Sequence, residues 1–509
     1  MTAHLLPLLL AVPVLGSALA AAAPWSVVRR VLLHGIALAS FAASLGLLVV
    51  HSSTPVLVAQ VGGFVPGVAI PFVSDTFSAA MLVLTGLVTC ASLLYCELTG
   101  ETTRARLFPA LALLLLGGVN GALVTGDLFN LFVCVEVMLM PSYALVAMTG
   151  TWRRLGVGRL FVVVNLLAST ALLAGVGLVY GVTGRVNLAS LAGAAREDGR
   201  VAAAAGLVLV ALCVKAGSVP VHGWLPRAYP ATSPGVMALF AGVHTKVAVY
   251  AVVRIWSTVF DLDPAWAWLL LTAALVSTAW GAIASTHPRL VREVLAWQMV
   301  SGIGVILASL AVGSTEGPRG LAAAGLAGAL VYTGHHMLTM GSLITVLGAA
   351  EHTYGTGRLD RLSGLWQRDR ALGVLLVVGI ASLVGLPPTS GLVAKLEVVT
   401  AAVGAGGVAG WVTVAVVLVS SLVGLVAMTR LWRRAMWGEP MRTGPAADPA
   451  TRVPARLLLP GGLLAAASVA VFLGYGAVAP VVDRAVDGLL DTDAYVAAVL
   501  PTPPPGGAR

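Results

Sequence analysis

The sequence predicts an all-α integral membrane protein of about 14 transmembrane helices, with two inverted five-helix repeats that contain discontinuous helices. Three observations carry this. With 58% hydrophobic and 10% charged residues and a mean hydropathy of +0.95, the chain has more apolar surface than a soluble core can bury, which excludes a soluble enzyme. Apolar runs of about 20 residues, long enough to cross a hydrocarbon core as helices, recur from the first residues to about position 476. Two of these runs are interrupted by Gly and Pro beside a lysine, an arrangement tolerated at membrane depth only where protein or a polar cavity satisfies the freed backbone.

In order, the expected spans are 4–23, 31–50, 74–95, 107–124, 128–149, 159–182, 202–224, 233–253, 264–285, 295–313, 321–348, 371–403, 409–429 and 457–476. The first, with small residues near Ala20, has the outline of a signal peptide; it lacks a basic leader and Arg29 and Arg30 follow it, so an uncleaved helix is expected. Between the second and third, GGFVPGVAIPFVSD reads as an extracytoplasmic turn or short hairpin. The third span ends in a polar stretch from Cys96 to Arg106. The seventh is broken by Gly217, Pro220, Gly223 and Pro226, and the twelfth by Gly385, Pro387, Pro388 and Gly391. Two interrupted segments at corresponding places in two halves mark a transporter's ion path. The expected division is therefore a three-helix segment over 1–106, a first repeat over 107–256, a second over 257–437, and a C-terminal helix with an outer tail over 438–509. Five helices per repeat make the second half inverted. The tail, with Asp483, Asp487, Asp491, Asp493 and a final PTPPPGGAR, is expected to lie on the outer surface and fray at its end.

The formal charge of +9 follows topology and does not call for nucleic acid. With 14 spans the connectors alternate sides, and one set holds 20 of the 27 arginines. The positive-inside rule places that set in the cytoplasm and both termini outside, in a cell membrane. The four cysteines, Cys90, Cys96, Cys134 and Cys213, form no CxxC pair, so no disulfide framework, metal site or iron–sulfur cofactor is expected.

The chain has only three lysines, Lys215, Lys246 and Lys395, and all lie in apolar spans. Guanidinium stays protonated, whereas a desolvated ammonium can give up its proton, so the titratable cations are the buried ones. Glu136 lies in mid-span and needs a partner, for which Lys215 is the candidate. His335 and His336 lie in the eleventh span and suit a proton relay, although adjacent helical positions point about 100 degrees apart. His222 and His244 are expected to be structural. Asp75, Glu97 and Asp127, near span ends, are expected to be solvated or to cap helices.

Five motifs, GDLFNLFVCVEVMLMPSYAL, KAGSVPVHGWLPRAYPATSPGVMALFAGVHTKVAVYAVVR, GAIASTHPRLVREVLAWQMVSGIG, GHHMLTMGSLI and GLPPTSGLVAKLE, together resemble the antiporter-like subunits shared by respiratory complex I and the multisubunit (Mrp) cation/proton antiporters. WLPRAY and the ending DTDAYVAAVL are most similar to the D-type subunits of the Mrp group. The resemblance implies a proton path through Glu136, Lys215, Lys246, His335, His336 and Lys395, with broken helices at Pro220, Pro226, Pro387 and Pro388. It also implies neighbouring subunits in a hetero-oligomeric complex, and H+ with Na+, or Li+ or K+, as transported ions. The family often has HHxxxK in its eleventh helix; here that lysine position is Met340. Glu397 has no counterpart in the pattern. Two other readings use the same residues: a proton-pumping subunit of an NADH:quinone oxidoreductase or membrane-bound hydrogenase, and a structural subunit whose polar axis has degenerated.

Overall fold

The computed structural model describes residues 3–148, 152–315, 319–441 and 444–501. Helices α1 (Leu8–Ala22) and α2 (Ser26–Val50) lead into a hairpin of β1 (Val56–Val61) and β2 (Ile70–Asp75), with Val56 opposite Asp75, as the Gly and Pro content of that stretch predicts. Then come α3 (Thr76–Leu98), α4 (Phe108–Val124), α5 (Leu128–Ala147), α6 (Trp152–Thr183), α7 (Gly199–Ala216), α8 (Pro234–Thr258), α9 (Pro264–Ala284), α10 (Val291–Val312) and α11 (Arg319–Tyr354). The chain continues through α12 (Arg370–Val384), α13 (Ser390–Ala405), α14 (Gly407–Met436) and α15 (Ala455–Leu473).

Among the described residues, 11 helices are long and apolar enough to span a membrane. The other three expected spans are α4, of 17 residues, α11, of 36, and the α12–α13 pair. The break expected inside 371–403 splits that span into two helices. The break after Lys215 ends α7, and two short helical turns, His222–Trp224 and Leu225–Ala228, carry the chain on to α8.

The connectors sort into two families by their contacts. On one side Ser233 reaches Glu101, Arg292 reaches Thr232 and Glu351, Arg430 reaches the carbonyls of Thr286 and Pro288, and Ser363 reaches Glu439. On the other, Gly126 meets Pro71, Leu128 meets Val186, Gly193 meets Thr258, Arg196 meets Asp261 and Gln60 meets Val499. These are the alternate connectors of a 14-span count. Thus α7 runs from the second side toward the first and α12 from the first toward the second, as inverted repeats require. α8, α10 and α11 are buried on nearly all faces and form the centre of the bundle.

The C-terminal tail differs from expectation. Residues Tyr475–Leu490 form α16 and Thr492–Val499 form α17. In α16 Val482, Ala485, Val486 and Leu489 are buried at helical spacing, and the helix packs on α3, α8 and α11, so the acidic residues mark only its outer face. Residues 502–509, the expected frayed end, lie outside the described residues.

Candidate functional site

The first repeat brings three helices to one polar cluster. Lys215 occupies the last turn of α7, which ends at Gly217 in a left-handed conformation (φ +84) that a residue with a Cβ would adopt only under strain. Its ammonium is buried and donates to the Ser169 hydroxyl of α6 at 2.7 Å and to the Asn165 carbonyl at 3.5 Å. Ser169 in turn donates to the Glu136 carboxylate of α5, and ammonium and carboxylate stand 3.8 Å apart. The expected Glu136–Lys215 pair is therefore present, with a serine between its members. Sequence reasoning missed Ser169, since serine in a span is ordinarily satisfied by its own helix. The break beyond Lys215 is also satisfied: Ser277 of α9 accepts from the Val219 amide at 2.9 Å, and Trp224 donates to the Val214 carbonyl at 3.0 Å. Pro220 lies in this break and Pro226 at the start of the turn Leu225–Ala228.

Lys246 is wholly buried in α8, directly after a π-helical segment, Phe240–His244. Such wide turns are frequent at functional sites. Among the described residues its ammonium donates only to the Thr245 hydroxyl, at 3.3 Å. Two residues earlier, His244, expected to be structural, packs among Phe161, Trp224, Tyr229 and Phe240, and it also lies beside the polar cluster. Its Nδ1 lies 3.3 Å from the Tyr229 hydroxyl, and its Nε2 has no hydrogen-bond partner among the described residues. It is within electrostatic range of Lys215 and two residues from Lys246 along α8. His222 lies apart, against Trp297.

In the second repeat the divergence of His335 and His336 on α11 has a use. His336 packs on Gly302 of α10, where a Cβ would come within 2.2 Å of its ring, and feels the charge of Lys246. His335 faces the α12–α13 break and feels Lys395. Its Nδ1 lies 3.0 Å from Ser390 and 3.2 Å from Thr339, members of a hydroxyl cluster completed by Ser382 and Ser468. Pro387 and Pro388 form the break beside it. Met340 is buried one turn beyond His336.

Lys395, on α13, turns back across the break. It donates to the carbonyls of Leu383 and Val384, at 3.1 and 2.6 Å, and to Ser421 of α14 at 2.7 Å. It thereby satisfies orphan carbonyls at the C-terminus of α12, where the helix dipole favours a cation. Glu397 points elsewhere and accepts from the Tyr475 hydroxyl at 2.7 Å.

The acids near span ends are mostly caps, as expected. Asp75 caps α3 through the Ser78 amide at 2.8 Å and Asp127 caps α5 through Asn130 at 2.8 Å, while Glu97 pairs with Arg30 and His34. Asp75 has in addition a buried partner that sequence reasoning did not find, Arg254 of α8 at 2.6 Å. Burial works against the Asp75 carboxylate, yet the Arg254 guanidinium and the Ser78 amide together hold it below the usual carboxylate range.

Comparison with known proteins shows what the chain as a whole is similar to. The transmembrane family model described as NADH:quinone oxidoreductase/Mrp antiporter matches residues 125–422. The D-type subunit of the Na(+)/H(+) antiporter of Bacillus subtilis is 32% identical over 448 residues, 87% of this chain and 88% of that protein. Its counterpart in Alkalihalophilus pseudofirmus is 30% identical over 453 residues, with the same shares. Among solved structures, a chain of the Mrp complex from Dietzia sp. DQ12-45-1b superposes with a TM-score of 0.92 at 38% identity, covering 98% of this chain and 100% of that one. A chain of respiratory complex I from Thermus thermophilus shares the fold, with a TM-score of 0.76 at 23% identity over 98% of this chain and 100% of its own.

Proposed function

This chain belongs to the NADH:quinone oxidoreductase/Mrp antiporter transmembrane family, and from that membership we propose that it is the D-type subunit of a multisubunit Na+/H+ antiporter, translocating protons across a cell membrane. Its arginine-rich connectors face the cytoplasm and its termini the outside. The observation that carries the proposal is the buried series of titratable groups running from Glu136 and Lys215 through His244, Lys246, His336 and His335 to Lys395.

The mechanism is electrostatic. Protonation of Glu136 removes the negative charge 3.8 Å from Lys215. Loss of a close opposite charge makes an ammonium a better proton donor, and Lys215 passes its proton toward Lys246 by way of His244. The added charge at Lys246 acts on His336, and through His335 on Lys395. Members of such a series titrate together, so the relay moves as a set and not as independent sites.

The test uses everted vesicles from a host without its own Na+/H+ antiporters, expressing this chain with its partner subunits. Respiration acidifies the interior and an acridine dye reports the gradient. Added Na+, Li+ or K+ is expected to collapse it, and Lys215→Ala, in a complex still assembled, is expected to abolish the collapse. Full activity in Lys215→Ala would refute the relay. No response of the intact complex to any cation, together with quinone-linked proton pumping, would point to a redox pump.

A further inference from the structure

Lys246, Tyr250 and Arg254 follow at four-residue intervals on α8 and so share one face of the helix, leading from the middle of the bundle to the side that carries the hairpin. At its end the Arg254 guanidinium donates to Asp75 at 2.6 Å and lies 3.4 Å from the Tyr250 hydroxyl. Three rings, Phe77, Tyr250 and Tyr495, surround it with centroids 5.4 to 5.6 Å away. The pair is buried, but Asp75 also lines a cavity of about 280 Å³ with His51, Arg484, Asp487 and Asp491. Other polar groups face it from each packed element. These are Ser74 and Ser78, His51 bonded to Ser74 at 2.8 Å, Tyr250, Tyr495 from α17, and Asp127 within electrostatic range of Tyr495.

We propose that Asp75 is the group through which the first repeat exchanges protons with the outer medium, and that Arg254 and Tyr250 position and connect it to Lys246. A proton from the outer cavity converts the Asp75 carboxylate to the acid and frees Arg254 from its partner, the guanidinium remaining protonated throughout. The acid then gives up its proton toward the neutral Lys246 amine, along the face of α8 on which Tyr250 stands between the two. The products are the Asp75 carboxylate and the Lys246 ammonium, and the tyrosine is unchanged. In the reverse direction the same groups release a proton. Unlike the central series, this branch pairs a carboxylate that can carry a proton with a cation that cannot lose one.

This inference rests on the proton-translocating reading above, and its test separates the two. Asp75→Asn, Asp75→Glu and Tyr250→Phe are made in the whole complex and assayed in everted vesicles for assembly, rate and pH profile. Asp75→Asn and Tyr250→Phe are expected to assemble and to slow antiport on the order of 100-fold, as loss of a proton-transfer group does. Asp75→Glu is expected to restore much of the rate with the pH profile displaced upward, in the direction of the higher intrinsic pKa of glutamate. A purely architectural ion pair predicts otherwise: wild-type rate in Tyr250→Phe, an unshifted profile in Asp75→Glu, and loss in Asp75→Asn only in proportion to lost complex. That result overturns the proposal. Should Asp75→Asn fail to assemble, Tyr250→Phe, which keeps the ring over Arg254, decides alone. If Lys215→Ala is inactive while these variants behave as wild type, only the outer branch fails; if Lys215→Ala is active, the relay itself fails.

Discussion

Ser169 is a small group on which the geometry of the first-repeat cluster turns. It accepts from Lys215 and donates to Glu136, so one hydroxyl joins by hydrogen bonds two charges that stand 3.8 Å apart. Ser169→Ala leaves both charges in place with a hydrogen bond missing from each. The expected cost is about 1–3 kcal/mol of stability and a tenfold or larger fall in antiport, checked by thermal unfolding and by the dye assay. At Lys395 the observed contacts and the proposed relay role can be separated. Lys395→Arg retains a cation for the carbonyls of Leu383 and Val384, yet cannot release a proton, so normal unfolding temperature with abolished transport is expected. Normal transport would remove Lys395 from the relay. At this scale the charged members of the candidate site were legible in the sequence, because a Lys or Glu inside an apolar span has few bland explanations. The hydroxyls were not. Ser169, Ser390 and Ser468 resemble any other membrane serine until helix packing shows which of them face His335 or Glu136.

At the scale of elements, the two breaks were legible from their Gly and Pro content, whereas the orientation of the side chains around them was not. Gly391 illustrates the difference. A Cβ there would approach the Ser382 carbonyl oxygen to 1.8 Å and the His335 ring to 3.0 Å, so the start of α13 is held against α11 and α12 only because this residue is glycine. Gly391→Ala is expected to destabilise the protein by about 1–3 kcal/mol or more through overpacking, and to impair transport by moving His335; its unfolding temperature checks the first part. The misread element is α16. Its buried positions recur at helical spacing in the sequence, but the four aspartates from Asp483 to Asp493 read as a solvated tail. An amphipathic helix lying on a bundle is easily mistaken for a polar tail when only its outer face is charged.

For the molecule as a whole, the span count and the inverted arrangement were legible because arginine placement and contact pattern depend on the same alternation. The proposed sidedness is checked with a membrane-impermeant maleimide: Ser52→Cys is expected to label in intact cells and Arg289→Cys only after permeabilisation. The side that carries the hairpin is further closed by α16 and α17, with Tyr495 on Arg254 and Val499 accepting from Gln60. Because Asp75 is held below its usual range, the ion pair stabilises this closure above the unfolded carboxylate value, near pH 4, and the stabilisation is lost as pH falls through the lower folded value. Protease resistance of residues 475–501 is accordingly expected to persist from neutral pH to about 4 and to decline only below it. The two glycines that end α7 and α12, Gly217 and Gly385, give a register for laying one half of the chain on the other. In that register Lys215 falls opposite Leu383, and Lys395 opposite Arg227. Yet both lysines come to rest at the C-terminal end of the helix before the break, one from within it and one reaching back. What the duplicated halves share here is a location in the electric field and not a letter in an alignment, so a search for lost or transplanted function among such repeats should score where the positive charge arrives.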